Sequence, residues 1–255
     1  MHHPRPLSSP SSRRGWCISL IACVAVWLLS SACGPSVATP MPEPPTVFDL
    51  SAVGEPNELD AVAIGNEPDA KTIRVFEGRL PAHSTVRVTN LDRVDPAVAV
   101  DVPEGRGADL IVSVTDGEEL RFEALSGELR SQPADAVFVL DDAISGRFHL
   151  APVERFACLK LEPGYRLDLD GASQATLSLE NGCTSPLTFD NARSRLALPD
   201  FTLANALPIE VAAAASTELT IDFTPAGPGA REDVLFVDVT LDGTTIRYPF
   251  TLRSE

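Results

Sequence analysis

Apolar and polar residues alternate in short runs over most of this chain, from about residue 71 onward. Residues 85–90 and 120–124 are typical, because every second side chain is apolar, as in a β-strand with one buried face. Turn signals such as Asp116-Gly117, Ser126-Gly127 and Asp242-Gly243 separate the runs, which is usual in sandwiches and barrels. No stretch keeps a sustained helical repeat. The pattern therefore predicts an all-β fold.

The runs form two sets of predicted strands. The first set is expected at residues 71–76, 85–90, 97–102, 110–115, 120–124 and 136–140. The second is expected at residues 165–169, 175–181, 187–189, 218–223, 234–241 and 245–252. Asp242-Gly243 lies between the last two strands and predicts a hairpin with a type I′ turn. Pro249 cannot donate to a strand ladder, so we expect it at a sheet edge or a bulge.

The first set carries short motifs of a known module. Residues 78–90 read GRLPAHSTVRVTN, and residues 116–124 read DGEELRFEA. These phrases resemble bacterial immunoglobulin-like repeats, although Ala82-His83 stands where Pro-Gly is common and Glu118 where Asp is common. The resemblance implies a β-sandwich over residues 47–152. Residues 47–70 are rich in Asp, Glu, Pro and Gly, and they fit either a loop-rich first strand or part of a tether.

The second set resembles a different group of immunoglobulin-like modules. Residues 177–189 read LSLENGCTSPLTF and residues 220–225 read TIDFTP. These phrases resemble domains of the major-sperm-protein type, including ASH and bacterial choice-of-anchor domains, over residues 153–255. Four alanines at residues 212–215 stand where that family usually has a Pro-Gly turn. The resemblance implies a second sandwich that binds proteins or acts as a spacer, and it supplies no catalytic residues.

The N-terminus has the pattern of a secretory signal. Arg5, Arg13 and Arg14 precede an apolar run at residues 16–29. The run is shorter than the roughly 20 residues that a membrane-spanning helix needs. Small residues follow it, so residues 1–32 are predicted to be a signal peptide that is removed.

Cys33 follows this predicted signal directly. Ser-Ser-Ala-Cys after Leu28-Leu29 resembles the lipobox of bacterial lipoproteins, although the leucine lies one position earlier than is usual. The resemblance implies that Cys33 is lipidated and holds the protein to a membrane. The alternative is an ordinary signal peptide followed by a chance cysteine.

Residues 33–46 contain five prolines and predict a semi-rigid tether. In enterobacterial-type lipoproteins, an Asp directly after the lipidated cysteine retains the protein in the inner membrane. The resemblance therefore implies that Gly34, in a cell with an outer membrane, directs the protein to the periplasmic face of that membrane or to the cell surface.

Charge and cysteine content narrow the possible partners. Removal of residues 1–32 takes away three of 20 basic side chains and none of 36 acidic ones, so the formal charge would change from −16 to −19. Such a chain is not expected to bind nucleic acid. Cys158 and Cys183 would be the remaining thiols in an oxidising compartment, where a disulfide is expected. Two separate buried thiols are the alternative.

Residues capable of catalysis or metal binding are sparse. His83 and His149 are far apart in sequence, and both are expected to face solvent rather than to form a site. The string Asp168-Leu169-Asp170-Gly171 has the start of a calcium loop but lacks its later ligands, so a strand ending in a turn is the better interpretation. After loss of both tryptophans, Tyr165 and Tyr248 are the only large polar aromatics left for stacking sugars.

These observations lead to one main expectation. We expect a non-enzymatic envelope lipoprotein, without a cofactor or metal, that presents two immunoglobulin-like sandwiches for protein contact or structural spacing. The alternative is a glycan- or calcium-binding surface module, which exposed aromatic rings or converging carboxylates would favour. A hydrolase would need His83 or His149 to lie with Ser and Asp in a cleft.

Overall fold

The computed structural model describes residues 48–53, 57–58, 69–103, 106–127, 129–140, 146–149, 155–169 and 171–254. The predicted signal, Cys33 and the predicted tether lie outside these residues. Apart from a 3₁₀ turn at Leu50–Ala52, the described residues form strands and their connections. The fold is all-β, as the alternation predicts, and it consists of two immunoglobulin-like sandwiches in tandem, as the resemblances to known modules imply. Both sandwiches belong to one compact unit.

Within the described residues, the first sandwich contains nine strands in two sheets. The strands are β1 Asn57–Glu58, β2 Ala70–Val75, β3 Ser84–Asn90, β4 Val98–Val102, β5 Ala108–Ser113, β6 Glu119–Ser126, β7 Leu129–Arg130, β8 Ala134–Leu140 and β9 Gly146–His149. One sheet has the order β1-β2-β5, and the other has the order β4-β3-β6-β8-β9 with β7 paired to β6. All pairs are antiparallel.

Inward-facing residues of both sheets form the core of the first sandwich. Ile73 and Leu110 come from one sheet, and Val86 and Phe122 from the other, and all four are buried. Phe48 is also buried here, with its ring stacked 5.8 Å from the ring of Phe122. The described part of residues 47–70 that precedes β1 therefore packs into this core.

The described part of the second sandwich also contains nine strands in two sheets. The strands are β10 Leu159–Glu162, β11 Arg166–Asp168, β12 Gln174–Asn181, β13 Leu187–Ser194, β14 Phe201–Leu203, β15 Ile209–Val211, β16 Ser216–Phe223, β17 Arg231–Leu241 and β18 Thr244–Ser254. The sheet orders are β10-β12-β16-β14 and β11-β18-β17-β13-β15. β11 and β18 pair in parallel, whereas the other pairs are antiparallel.

A buried asparagine organises the loops at one end of the second sandwich. The Asn181 side-chain amide donates to the carbonyls of Ser185, Val211 and Ala212, and its oxygen accepts from the Cys183 N–H at 2.9 Å. Ala214 adopts a positive φ of 59° in the nearby turn. Residues 212–215 thus make an irregular turn where the related modules are expected to have Pro-Gly.

The hairpin between β17 and β18 has the predicted turn. Thr244 pairs with Leu241, and both intervening residues, Asp242 and Gly243, have positive φ angles of 48° and 81°. This is the backbone of a type I′ turn.

Pro249 differs from the expectation of an edge or bulge. It is buried in β18, which lies between β11 and β17, and it is opposite Phe236. β11 pairs only with residues 251–253 of β18, so Pro249 lies beyond the end of that pairing. β18 is internal to the sheet, but the pairing with β11 does not reach Pro249. The missing N–H of Pro249 therefore costs no hydrogen bond to β11.

Candidate functional site

Strand β6 is buried on both of its faces. Leu120, Phe122 and Ala124 face the core, and the alternate residues Glu119 and Arg121 are also buried, at 7% and 0% exposure. Period-two alternation would place such charged residues in solvent. The second sandwich covers them instead, through residues of β18.

Arg121 is at the centre of the contact between the sandwiches. Its Nε and Nη2 donate to the two oxygens of Asp135 at 2.7 and 2.8 Å. Its Nη1 donates to the Thr251 hydroxyl at 2.9 Å, and Nη2 also donates to the Pro249 carbonyl at 2.8 Å. The planar guanidinium therefore makes a two-pronged ion pair within the first sandwich and two hydrogen bonds to the second.

The buried charges of Arg121 and Asp135 stabilise each other. Burial acts to lower the pKa of Arg121, but the Asp135 charge and hydrogen bonds raise it further than burial lowers it. Burial acts to raise the pKa of Asp135, but Arg121 and then Arg155 hold it below its usual value. Both groups are therefore charged at neutral pH.

Arg155 extends this arrangement from the start of the second sandwich. Its Nη2 donates to Asp135 at 2.7 Å and to Glu119 at 3.0 Å, and its Nη1 donates to the Arg247 carbonyl at 2.6 Å. The Arg155 guanidinium also lies 5.3 Å from the ring centroid of Tyr165. A cation over an aromatic ring contributes further attraction.

Arg247 adds a further set of ion pairs between the two sandwiches. Arg247, on β18, donates through Nη2 to Glu119 at 2.7 Å and through Nη1 to Asp92 at 2.7 Å. Glu119 therefore accepts from Arg155 and Arg247 with different oxygens.

A second group of charges surrounds Glu232 of β17. Arg87 and Arg130 of the first sandwich both donate to Glu232, Arg130 at 2.8 Å. Glu123 of β6 lies beside them, 3.4 Å from Arg87 and 3.7 Å from Arg130. Burial raises the pKa of Glu123, and the neighbouring arginines only partly counter this. The pKa of Glu232 is lowered, because Arg87 and Arg130 outweigh its burial.

We call these ten residues the charged contact. It consists of five arginines and five carboxylates: Arg87, Arg121, Arg130, Arg155, Arg247, Asp92, Glu119, Glu123, Asp135 and Glu232. The chain has 18 arginines and only two lysines, which suits paired, geometrically fixed recognition of carboxylates. A small apolar cluster of Leu91, Val234 and Phe236 lies between the sandwiches.

Gln132 connects the two sandwiches away from the charged contact. Its side-chain amide donates to the Pro163 carbonyl at 3.1 Å and accepts from the Tyr165 N–H at 3.2 Å. Its own carbonyl accepts from the Phe48 N–H at 3.1 Å. Arg166 adds a hydrogen bond to the Ser131 carbonyl at 2.9 Å.

The expected disulfide is present between Cys158 and Cys183, with the two Cα atoms 4.9 Å apart. Cys158 precedes β10, and Cys183 follows β12, which pairs with β10. The Gly182 N–H donates to the Cys158 carbonyl at 2.8 Å. The bridge therefore joins the start of edge strand β10 to the end of its antiparallel partner β12 in the second sandwich.

The other sequence candidates do not come together. His83 is an exposed turn residue with a φ of 61°, and the side chain of His149 is outside the described part. Tyr248 is buried, and Tyr165 stacks on it and on Phe250 against the second core. These rings are part of the packing rather than an exposed row.

Asp168 ends β11 and accepts a hydrogen bond from Arg166 at 2.8 Å, while Asp170 is outside the described residues. Gly171 has a φ of 69°, so the strand ends in a turn, as expected. Within the described ranges, no three metal-ligating side chains come close enough to hold an ion. The same ranges contain no helix of the length and apolarity that a membrane span requires.

The charged contact was not predicted from the sequence. Its clearest signal is the mixed signs on the polar face of β6, where Glu119, Arg121 and Glu123 alternate. A strand face in contact with water can carry the same alternating charges. These charges therefore indicate a contact surface only when the strand that packs against them is known.

No protein-family model and no curated protein matches the chain. Among solved structures, an ASH/PapD-like domain of human CEP192 is 15% identical, with 38% of this chain and 84% of that domain covered and a TM-score of 0.33. A member of the MSP family from C. elegans is 15% identical over 38% of this chain and 98% of its own, with a TM-score of 0.31. A protein of unknown function from Porphyromonas gingivalis is 18% identical over 74% of this chain and 92% of its own, with a TM-score of 0.32. Similarity at this level gives no information about a partner or an activity.

Proposed function

We propose that this chain is a non-enzymatic envelope lipoprotein that presents two fixed immunoglobulin-like sandwiches for protein contact or structural spacing. The observation that carries this proposal is the charged contact. Two sandwiches joined by a short apolar patch alone could change their relative orientation readily. Six ion pairs of the charged contact join one sandwich to the other. They oppose such movement, because separation would leave buried or half-buried charges without these partners.

The proposed anchor is a diacylated Cys33, followed by the proline-rich residues 34–46. Two acyl chains hold a protein to a bilayer far more strongly than one chain does. A tether of this composition is extended and semi-rigid. A fixed pair of sandwiches on such a tether would keep a constant distance between the membrane and the surface it presents.

Exposed apolar side chains favour the first sandwich as the partner-binding part. Among the described residues, the large apolar side chains with substantial exposure all lie there: Phe76, Val94, Ile111, Leu129 and Leu140. Ile111 is on β5, which is at the end of its sheet order. In the second sandwich, the outermost strands β10, β11, β14 and β15 have four, three, three and three residues, and short edges offer few groups for strand pairing.

Labelling with radioactive palmitate tests the anchor. Wild-type protein and the matched variant Cys23→Ser, which changes a cysteine of the predicted signal, should both be labelled and remain with membranes in plain buffer. Cys33→Ser should lose the label. Equal labelling of Cys33→Ser and wild type would contradict the proposed anchor.

Site-specific photo-crosslinking in intact envelopes tests the protein contact. A photoreactive residue at Ile111 should give a defined adduct with another protein. The control position is Thr176, which is also exposed on a strand but belongs to the second sandwich. Absence of an adduct at Ile111, or the same adducts at both positions, would contradict the assignment to the first sandwich.

A further inference from the structure

A cavity of about 170 Å³ lies where the two sandwiches meet, and four arginines line it. Arg93 comes from the segment after β3, Arg193 from β13, Arg195 from the segment after β13, and Arg247 from β18. The remaining wall consists of Leu91, Asp92, Val94 and Phe236. This is a high local density of positive charge in a chain with a formal charge of −16.

Two of the four arginines are already neutralised. Arg93 donates to both oxygens of Glu118 at 2.8 and 3.0 Å. Arg247 is held by Asp92 and Glu119 in the charged contact. Asp92 itself has both oxygens occupied, because its second oxygen accepts from the Glu119 N–H at 2.7 Å.

The other two arginines lack a carboxylate within hydrogen-bond distance in the described part of the chain. Arg193 is exposed, and its guanidinium lies 4.5 Å from the ring centroid of Phe236. Arg195 donates to two main-chain carbonyls, those of Asn90 and Asp95, and not to a carboxylate. Burial lowers the pKa of Arg195 more than the nearby charges of Asp233 and Asp95 raise it.

Phe236 helps to position these cations. Its ring is 1% exposed and has the guanidinium of Arg193 at 4.5 Å and that of Arg247 at 4.7 Å from its centroid. Stacking on a fixed ring limits the rotamers of an arginine and leaves its edge donors free to bind. The Arg193 donors are therefore held near the cavity at little cost in side-chain entropy.

We propose that this cavity binds a small oxyanion, either a carboxylate or a phosphate group. The fork of an arginine matches the paired oxygens of both groups. Arg193 and Arg195 would hold the anion, and Arg93 and Arg247 would add attraction from the wall. Because the cavity walls come from both sandwiches, the bound anion would also join them. This proposal does not depend on the proposed envelope function.

Titration of the full-length protein in detergent, followed by NMR of the arginine Nε–Hε signals, tests the site. Inorganic phosphate and N-acetylglutamate are the two probes, and sodium chloride at equal ionic strength is the reference. We expect saturable shifts of the Arg193 and Arg195 signals with at least one probe. Tighter binding of phosphate would assign the site to free phosphate-type ligands, and tighter binding of N-acetylglutamate would assign it to acidic side chains. Shifts with both probes no larger than those with chloride would overturn the proposal.

Two arginine variants distinguish anion binding in the cavity from attraction by the overall charge of the protein. Arg193→Gln should weaken binding about tenfold, which is what loss of one charge-assisted hydrogen bond gives. Arg79→Gln removes the same charge from an exposed position that does not line the cavity, and it should bind like wild type. Equal affinity in Arg193→Gln and wild type would also overturn the proposal. The Arg193 side chain makes no hydrogen bond or ion pair with any other described residue, so its replacement is not expected to unfold the protein.

Discussion

Arg121 and Asp135 form a buried two-pronged ion pair on neighbouring strands of the first sandwich, and the second sandwich covers it. The pair is intramodular, yet its remaining donors are satisfied only by Thr251 and Pro249 of the second module. The first sandwich therefore has a charged surface whose hydrogen bonds are completed by the second sandwich.

Replacement of Arg121 should destabilise the protein strongly. Arg121→Met leaves Asp135 buried with Arg155 as its main partner, and the free energy of unfolding should fall by roughly 3 kcal/mol. Denaturant unfolding at neutral pH measures this. Lys160→Met is the matched control, because Lys160 and Glu180 form an exposed pair, and it should unfold close to wild type. Similar midpoints for the two variants would show that the buried pair does not stabilise the contact.

The raised pKa of Glu123 predicts an unusual dependence of stability on pH. A carboxyl whose pKa is raised in the folded state stabilises the fold when it is protonated and loses that contribution as pH rises. Wild-type stability should therefore fall, relative to Glu123→Gln, as pH rises from 4.5 through the raised pKa of Glu123. Unfolding midpoints of both proteins across this range measure the difference.

Glu232 should show the opposite dependence of stability on pH to that of Glu123. Its pKa is lowered, so its contribution is present above its ordinary pKa and is lost as pH falls through the lowered one. Glu232→Gln should therefore be less stable than wild type at neutral pH, and the difference should shrink in acid. The same pH profile for both variants would contradict the assigned charges.

Loss of the Cys158–Cys183 bridge should weaken the second sandwich. The bridged residues are 25 apart in sequence, and closure of a loop of that length contributes about 3 kcal/mol. The double variant Cys158→Ala/Cys183→Ala should unfold earlier in denaturant by that amount. Dithiothreitol should shift wild type to the same midpoint and leave the double variant unchanged. A shift of the double variant by dithiothreitol would point to another bridge.

The type I′ turn predicts a modest cost for one glycine replacement. Gly243 has a φ of 81° and open space where a Cβ would stand, so Gly243→Ala should cost about 1 kcal/mol from backbone strain alone. Asp242→Gly removes a side chain from a residue that also has positive φ, and it should be nearly neutral. Thermal unfolding of both variants measures the contrast, and equal losses would exclude this explanation.

Much of the fold could be predicted because burial on one face imposes a period of two. β3, β12 and β16 have that pattern, and β6 has the same alternation in sequence although both of its faces are buried. The predicted positions of all four strands agree with the structure within two residues. The short strands β14 and β15 were not predicted as strands. Three residues are too few to show a period, and pairing with β16 and β13 determines their conformation.

The charged contact could not be predicted for a different reason. Arg121 and Glu119 occupy positions on β6 that look solvent-facing, because a strand's polar face has the same pattern in water or against a charged partner. The partners Thr251 and Arg247 are more than 120 residues away in sequence. Their complementarity depends on the relative placement of two modules, which local patterns do not contain.

The position of Gln132 determines how the molecule would carry mechanical load. Its carbonyl accepts from Phe48, near the beginning of the folded part, and its side chain bonds to Pro163 and Tyr165 of the second sandwich. Tension applied upstream of Phe48 would thus act on the Gln132 main chain, and the Gln132 side chain would pass part of it to Pro163 and Tyr165 of the second sandwich.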